Sequence, residues 1–356
     1  MKIIYKSILK ELTFTFILSL TCLNFILMTE KLLKLSRILS GVGSSMFDMV
    51  KIILYLQPQL FLLTIPMSLL LSTLLVYGRH NVDNEIVILK SSGMNFRSIS
   101  TPVFILGLCC FVLNMSVSFY LGPESSVRLQ REIIRIIKER TPLAVEAGRF
   151  NDSFKDILIV VREKPTDNTM RGIFVYDSRE KNEPRVMLAK EGKITTSQDG
   201  LDMNLFLEDG YINIAKDDST TDMFFKKYNM MLKLQTDTPA RRNAELTPIE
   251  IIDIIRATDS KRALMYFVEL YRRFTLPFLC IILSVFGTPL SMIAGKSGRL
   301  GGLTIGLTVF TVYYMLLIYG ENLVRAGKIP HYIGSCTATV ILAIVASLMF
   351  RRENQR

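Results

Sequence analysis

Three cations stand at steps of three, Lys31, Lys34 and Arg37, just beyond an apolar run that ends near Met28. On a helix each such step drifts by about 60°, so all three stay within roughly 120° of one face. A row of this kind binds anions, and phosphates are the natural choice. The plainer reading is an interfacial anchor whose long side chains reach from the apolar run to the headgroups. A second basic pair, Arg272 and Arg273, opens a later apolar run and reads equally as an anchor or as part of an outer anion site. The third constellation is the loop from Gly78 to Gly93, which carries Arg79, Asp83 and Glu85. Asp83 or Asn84 can cap a short helix there, with Ile86, Leu89 and Lys90 following and Gly93 ending it. A short helix beside a membrane, with a carboxylate near its start, is a docking element for a partner.

Other residue types that do chemistry are poorly placed to cooperate. His80 and His331 fall on opposite sides of the membrane in the topology below, and neither neighbours a cysteine or paired carboxylates, so no metal site is expected. Gly295-Lys296-Ser297 has the form of the end of a phosphate loop, yet Leu290 holds the place of its first glycine and no strand precedes it. There is no serine elbow, His-Glu pair or intramembrane pair of acids, and the apolar runs carry almost no ionisable groups. An enzyme acting on lipid headgroups would need such groups, and so would an ion-coupled carrier with a midplane relay. A transporter built this way takes its energy from another chain. The five cysteines, Cys22, Cys109, Cys110, Cys280 and Cys336, all lie in apolar runs and read as small buried hydrophobes.

The elements that position these groups are six apolar runs: Thr13–Met28, Leu54–Tyr77, Pro102–Leu121, Phe274–Ile293, Leu303–Tyr319 and Tyr332–Phe350. A helix crosses a bilayer with about 20 apolar residues, so the chain reads as two sets of three spans. The first run lacks a small-residue cleavage site and reads as a retained span. Lys and Arg near the runs number eleven on the side of the termini and six on the other. The excess of positive charge predicts cytoplasmic termini and an extracytoplasmic middle segment. Over the whole chain, 43 basic residues face 32 acidic ones, for a net charge of +11. Residues 122–273 hold 26 basic and 25 acidic residues, which leaves 17 against 7 on the membrane part. That distribution fits a membrane surface and excludes a nucleic-acid binder, which concentrates charge on a soluble face.

The middle segment begins with an amphipathic helix over Pro123–Arg140. Seven strands are expected after it: Ile157–Val161, Gly172–Tyr176, Arg185–Lys190, Gly192–Thr196, Asp202–Leu207, Gly210–Ile214 and Met223–Leu232. Turn signals separate them, among them Pro165-Thr-Asp-Asn, Gln198-Asp-Gly and Glu208-Asp-Gly. Short strands without helices between them mean an antiparallel sandwich or a jelly-roll-like fold. Thr247-Pro-Ile-Glu250 then opens a helix, with Thr247 and Glu250 forming a capping box.

In this order the segments resemble the LptF/LptG permease family of lipopolysaccharide export. The strings that carry the resemblance are Gly78-Arg79, Asn84-Glu85-Ile86-Val87, Ser92-Gly93, Glu269 with Arg273-Phe274 and Pro277, Gly287-Thr-Pro-Leu290, Ser297-Gly-Arg299 and Gly327-Lys-Ile-Pro330. Glu30-Lys31-Leu-Leu-Lys34 and Gly122-Pro-Glu-Ser-Ser126 look more like the F member than the G member. The resemblance implies an α-helical membrane protein with six transmembrane helices and an inserted all-β periplasmic jelly-roll. Its expected divisions are 1–121 with a coupling helix near 79–93, 122–273 for the jelly-roll, and 274–356. It further implies a heterodimer with a G-type permease chain, carried by a cytoplasmic ABC ATPase dimer that binds the ATP and Mg. No cofactor is expected on this chain itself, and no catalysis. Periplasmic jelly-roll bridge proteins, a single-span LptC-like subunit and lipopolysaccharide are the other implied partners. In that setting Glu85, with Arg79 and Asp83 nearby, would seat in the ATPase groove. Lys31, Lys34 and Arg37 would meet the phosphorylated sugars of lipid A. A mechanical coupler, moving a periplasmic domain without passing lipid, would use the same coupling helix and need no basic lipid site.

Overall fold

A computed structural model describes residues 2–40, 46–144, 147–148, 150–154, 156–166, 169–180, 184–196, 202–216, 219–233, 246–257, 260–294 and 298–355 of the chain. Among them six helices are long and apolar enough to cross a membrane: Ile3–Leu33, Met46–Val82, Phe96–Ile136, Ala263–Ile293, Gly301–Arg325 and His331–Gln355. Each contains one of the six expected runs. The helices are α1 (Lys2–Ser40), α2 (Met46–Val82), α3 (Glu85–Ser91), α4 (Phe96–Ser116), α5 (Gly122–Ala144), α6 (Pro248–Ala257), α7 (Ser260–Ala294), α8 (Gly298–Arg325) and α9 (His331–Gln355). A π-helical turn, Val117–Leu121, joins α4 to α5. Gly295-Lys296-Ser297, rejected above as a phosphate loop, lies outside the described residues. The chain forms two compact units, residues 1–29, 56–127 and 241–356 in the first, and 30–55 and 128–240 in the second.

In the first unit, spans two, three and four pack through small and polar residues, the usual way for helices that gain nothing from excluding lipid. Prolines lie within these spans, and each lacks the N–H that would bond the carbonyl four residues back. Pro66 in α2 thus strips Leu62 of its helical donor, and Asn114 Nδ2 supplies one at 3.3 Å. Pro277 in α7 likewise frees the Arg273 carbonyl, which receives the Ser118 hydroxyl at 2.9 Å. Asn114 also donates to Leu276 O at 3.4 Å. Both donors come from the third span, one turn apart. Cys110 and Cys280 are buried there, whereas Cys22 and Cys109 are exposed. The Thr247 capping box is present: Thr247 N–H donates to Glu250 Oε2 at 2.8 Å, and Glu250 N–H to Thr247 Oγ1 at 3.3 Å.

Among its described residues the second unit holds one antiparallel sheet of six strands in sequence order: β1 (Phe150–Phe154), β2 (Ile157–Thr166), β3 (Thr169–Asp177), β4 (Arg185–Thr196), β5 (Asp202–Lys216) and β6 (Ser219–Lys233). The all-β insertion is as expected, and its described strands follow one another as a meander. Strand count differs from the reading above. The two predicted pairs at 185–196 and 202–214 are each a single long strand, and Phe150–Phe154 is a further edge strand. Glu208-Asp-Gly makes no turn: Asp209, at φ 49°, stays within β5 while pairing resumes at Gly210.

Burial explains why. One face carries Ile159, Val161, Ile173, Val175, Met187, Ala189, Leu205 and Leu207 into a continuous core, joined by Ile133 of α5. At a single level the alternation slips by one residue in each of β2 to β6, leaving two successive residues exposed. These doublets are Arg162-Glu163, Arg171-Gly172, Lys190-Glu191, Glu208-Asp209 and Lys226-Lys227. Residues 163, 171, 191, 208 and 227 are paired in one row across the sheet, so the slips line up and the ladders from β3 to β6 keep their register, whereas β2 and β3 shift just past the row, between Glu163 and Thr166. Arg171 bonds Glu191 at 3.0 Å, and Lys227 lies 3.6 Å from Glu208. Gly210 sits just past the belt, where the Phe225 ring and the Leu188 carbonyl occupy the space a Cβ would need.

Candidate functional site

The first candidate group lies at the end of the first span. α1 is helical through residues 31, 34 and 37, so the spacing argument for one face applies to the backbone as it stands. The Lys31 side chain is exposed. The side chains of Lys34 and Arg37 lie outside the described residues. In the same unit, the start of α2 is tied to α5 by charge: Arg135 Nη2 donates to Asp48 Oδ1 at 3.1 Å and to Glu132 Oε1 at 2.6 Å, with Lys51 Nζ 3.3 Å from Glu132.

The second group is built where α2 ends. Asn84 takes the N-cap place of α3 in a left-handed conformation, φ 59°, and its side chain makes no capping bond. The cap expected from Asp83 or Asn84 is therefore positional only. Gly93, at φ 89°, ends the segment with its N–H on Lys90 O. Ile86 is buried in a cluster with Ile8, Leu12 and Tyr77, which sets the roll of α3. That roll leaves Val87 and Ile88 exposed; Val82, the last residue of α2, is exposed too, as are Asp83 and Glu85. Glu85 accepts from His80 Nδ1, and His80 Nε2 faces Glu11 Oε2 at 3.3 Å. Arg79 Nη2 reaches the other Glu11 oxygen at 2.8 Å. The sequence reading placed Arg79 and Glu85 here but missed Glu11 and His80, because Glu11 lies about 70 residues upstream and no local pattern joins them.

The third group turns inward. Arg272 Nε donates to Glu321 Oε1 at 2.9 Å, and its Nη2 to Oε2 of the same carboxylate. Arg325 stands 3.9 Å from Glu321, whose side chain is only 3% exposed. Arg273 Nε is 3.6 Å from Glu269 Oε1, and its side chain is buried. The charges of this basic pair thus face intramolecular carboxylates. Glu321 escaped the sequence reading because it follows the apolar run by two residues; its i, i+4 spacing to Arg325 was the visible trace. His331, read above as the second lone histidine, stacks on Phe267 with centroids 4.1 Å apart and on Tyr271 at 5.7 Å. Among the described residues, no group of three His, Cys, Asp or Glu side chains is arranged to hold a metal ion.

Comparison with known proteins agrees with this layout. The family described as lipopolysaccharide export system permease LptF/LptG matches residues 6–352. An uncharacterised protein of Rickettsia prowazekii is 21% identical over 86% of this chain and 86% of its own length. The lipopolysaccharide export system permease protein LptF of Escherichia coli is 23% identical over 82% of this chain and 80% of its own.

Proposed function

The chain belongs to the lipopolysaccharide export permease family LptF/LptG, and from that premise we propose that it is the F-type transmembrane subunit of an ABC exporter that extracts lipopolysaccharide and passes it to a periplasmic bridge. Its six apolar spans and its family make it a multi-pass protein of the inner membrane, with a β domain inserted between two sets of three spans. Both termini and α3 face the cytoplasm, and the sheet lies in the periplasm, an orientation supported by the excess of Lys and Arg on the terminal side.

The observation that carries the reading is the exposed apolar group formed by Val87 and Ile88 of α3 and Val82 at the end of α2, beside the Glu85 carboxylate. An apolar patch with a charged rim on a short surface helix is suited to seat in a partner's groove. That partner is a cytoplasmic ABC ATPase dimer, which binds ATP and Mg and performs the hydrolysis; this chain is non-catalytic and holds no cofactor. A G-type permease chain completes the cavity. Lipopolysaccharide enters it laterally from the outer leaflet, its acyl chains on the apolar walls of the first and fifth spans and its phosphates on Lys31, Lys34 and Arg37. Closure of the ATPase dimer moves α3, collapses the cavity and passes the lipid to the jelly-roll and the bridge proteins, with an LptC-like single-span subunit at the junction.

The test is purification of the tagged chain from its native membranes in mild detergent, with every co-purifying protein and lipid identified by mass spectrometry. An ABC ATPase, a second six-span chain and lipopolysaccharide together are the expected result. An ATPase without the lipid favours the mechanical coupler, and no ATPase at all refutes the exporter reading.

A further inference from the structure

We propose that Glu11 and His80 are positioning residues that transmit movement of α3 to the first span, an inference that rests on reading α3 as the coupling helix. His80 occupies the last turn of α2, buried, with one ring nitrogen on the Glu85 carboxylate and the other facing Glu11 at 3.3 Å. The ring lies between carboxylates on two different helices: it is hydrogen-bonded to Glu85 of α3, while Nε2, which makes no hydrogen bond, stands within ion-pair distance of Glu11 of α1. Arg79 holds the second oxygen of Glu11 at 2.8 Å and so fixes the carboxylate that His80 faces. Beneath this polar link, Ile86 of α3 shares a buried cluster with Ile8 and Leu12 of α1.

Burial alone does not need these charges. A buried histidine between two carboxylates brings desolvation costs that an apolar residue of similar size avoids, whereas a hydrogen bond to Glu85 and a Glu11 carboxylate 3.3 Å away tie α3 and α1 to one ring as apolar contact does not. The other spans meet this corner through different bonds: Asn81 Nδ2 donates to Met292 O of α7 at 3.1 Å, and Lys90 stands 4.0 Å from Glu353 of α9. The link to α1 is the one that runs through Glu85 itself, so displacement of that carboxylate in a partner's groove is delivered to the first span. That span also carries Lys31, one of the residues assigned to the lipid.

The experiment uses the whole complex in proteoliposomes with rough lipopolysaccharide, comparing wild type, Glu11→Gln, Glu11→Asp, His80→Gln, Tyr5→Phe and Glu85→Arg. Three quantities are read: ATPase retained on the permease, ATP hydrolysed, and lipid released per ATP. Glu11→Gln and His80→Gln are expected to keep the ATPase and its hydrolysis while lipid released per ATP falls about fivefold or more, the low end of allosteric coupling. Glu11→Asp, which keeps the carboxylate, regains part of the loss. Tyr5→Phe, which removes a hydrogen bond from α1 to Ser98 of α4 and none to α3, leaves the ratio unchanged. An unchanged ratio in Glu11→Gln and His80→Gln overturns the proposal. So does loss of the ATPase from them, which would make the pair part of the docking surface. Retention of the ATPase by Glu85→Arg instead refutes the coupling-helix reading on which the proposal stands.

Discussion

The proline-complementing bonds of the third span make a prediction whose size follows from the structure. Pro66 leaves Leu62 O without its helical N–H, and Asn114 supplies the missing donor at 3.3 Å while also donating to Leu276 O at 3.4 Å. Hydrogen bonds between membrane helices are worth on average about 0.6 kcal/mol and at most about 1.7. Two long bonds therefore suggest that Asn114→Leu costs about 1 kcal/mol, since Leu nearly conserves the volume. In a Pro66→Ala background the alanine N–H restores the helical bond to Leu62 O, so Asn114 no longer serves that carbonyl. Asn114→Leu should then cost less, by about 0.6 kcal/mol. Reversible unfolding of the four proteins in mixed detergent–lipid micelles measures the cycle, and the packing lost with the proline ring cancels within it. Additivity to within about 0.3 kcal/mol would refute the claim that Asn114 completes the proline break.

Two further outcomes are expected. Reversing charge at Lys31 and Lys34 together should weaken lipopolysaccharide crosslinking at least about thirtyfold, since merely losing each cation at a charged surface costs about 1 kcal/mol, with complex assembly intact; unchanged crosslinking would remove the phosphate assignment. In the β domain, burial raises the Asp177 pKa, but the paired Arg179 guanidinium and its backbone N–H more than offset this and hold the carboxyl below the usual carboxylate range. A depressed pKa contributes stability that is present above about pH 4, the unfolded value, and is lost as pH falls through the folded value. Thermal unfolding of the wild type between about pH 5 and pH 2 should show that loss, and Asp177→Asn should flatten it. An equally steep acid loss in the variant would assign it to other groups.

Much of this architecture is legible in the chain alone, and the failures have physical causes. The six spans stand out because a bilayer demands long apolar runs, and the Thr247–Glu250 capping box because its two bonds are local. The β domain was misread where charge interrupts it. Lys190-Glu191 and Glu208-Asp209-Gly210 have the composition of turns, yet they sit inside strands because neighbouring strands slip at the same level. That alignment is a property of the sheet, invisible in any one strand. The candidate sites divide in the same way. Arg79, Asp83 and Glu85 are close in sequence and were found together, whereas Glu11 meets Arg79, and Glu321 meets Arg272, only through tertiary packing.

The aligned charge doublets also govern how this domain can drift. A substitution within the belt alters one exposed side chain and leaves the ladder intact. Deleting a single residue there would restore plain alternation in one strand and leave it one residue short of partners that still carry the extra residue, so its pairing beyond that point would shift by one. Gain or loss of a residue at this level is therefore tolerated only if several strands change together, which point mutation cannot accomplish in one step. Relatives of this chain should vary freely in which charges occupy the belt while holding its length constant, and differences in chain length should collect at the hairpin ends.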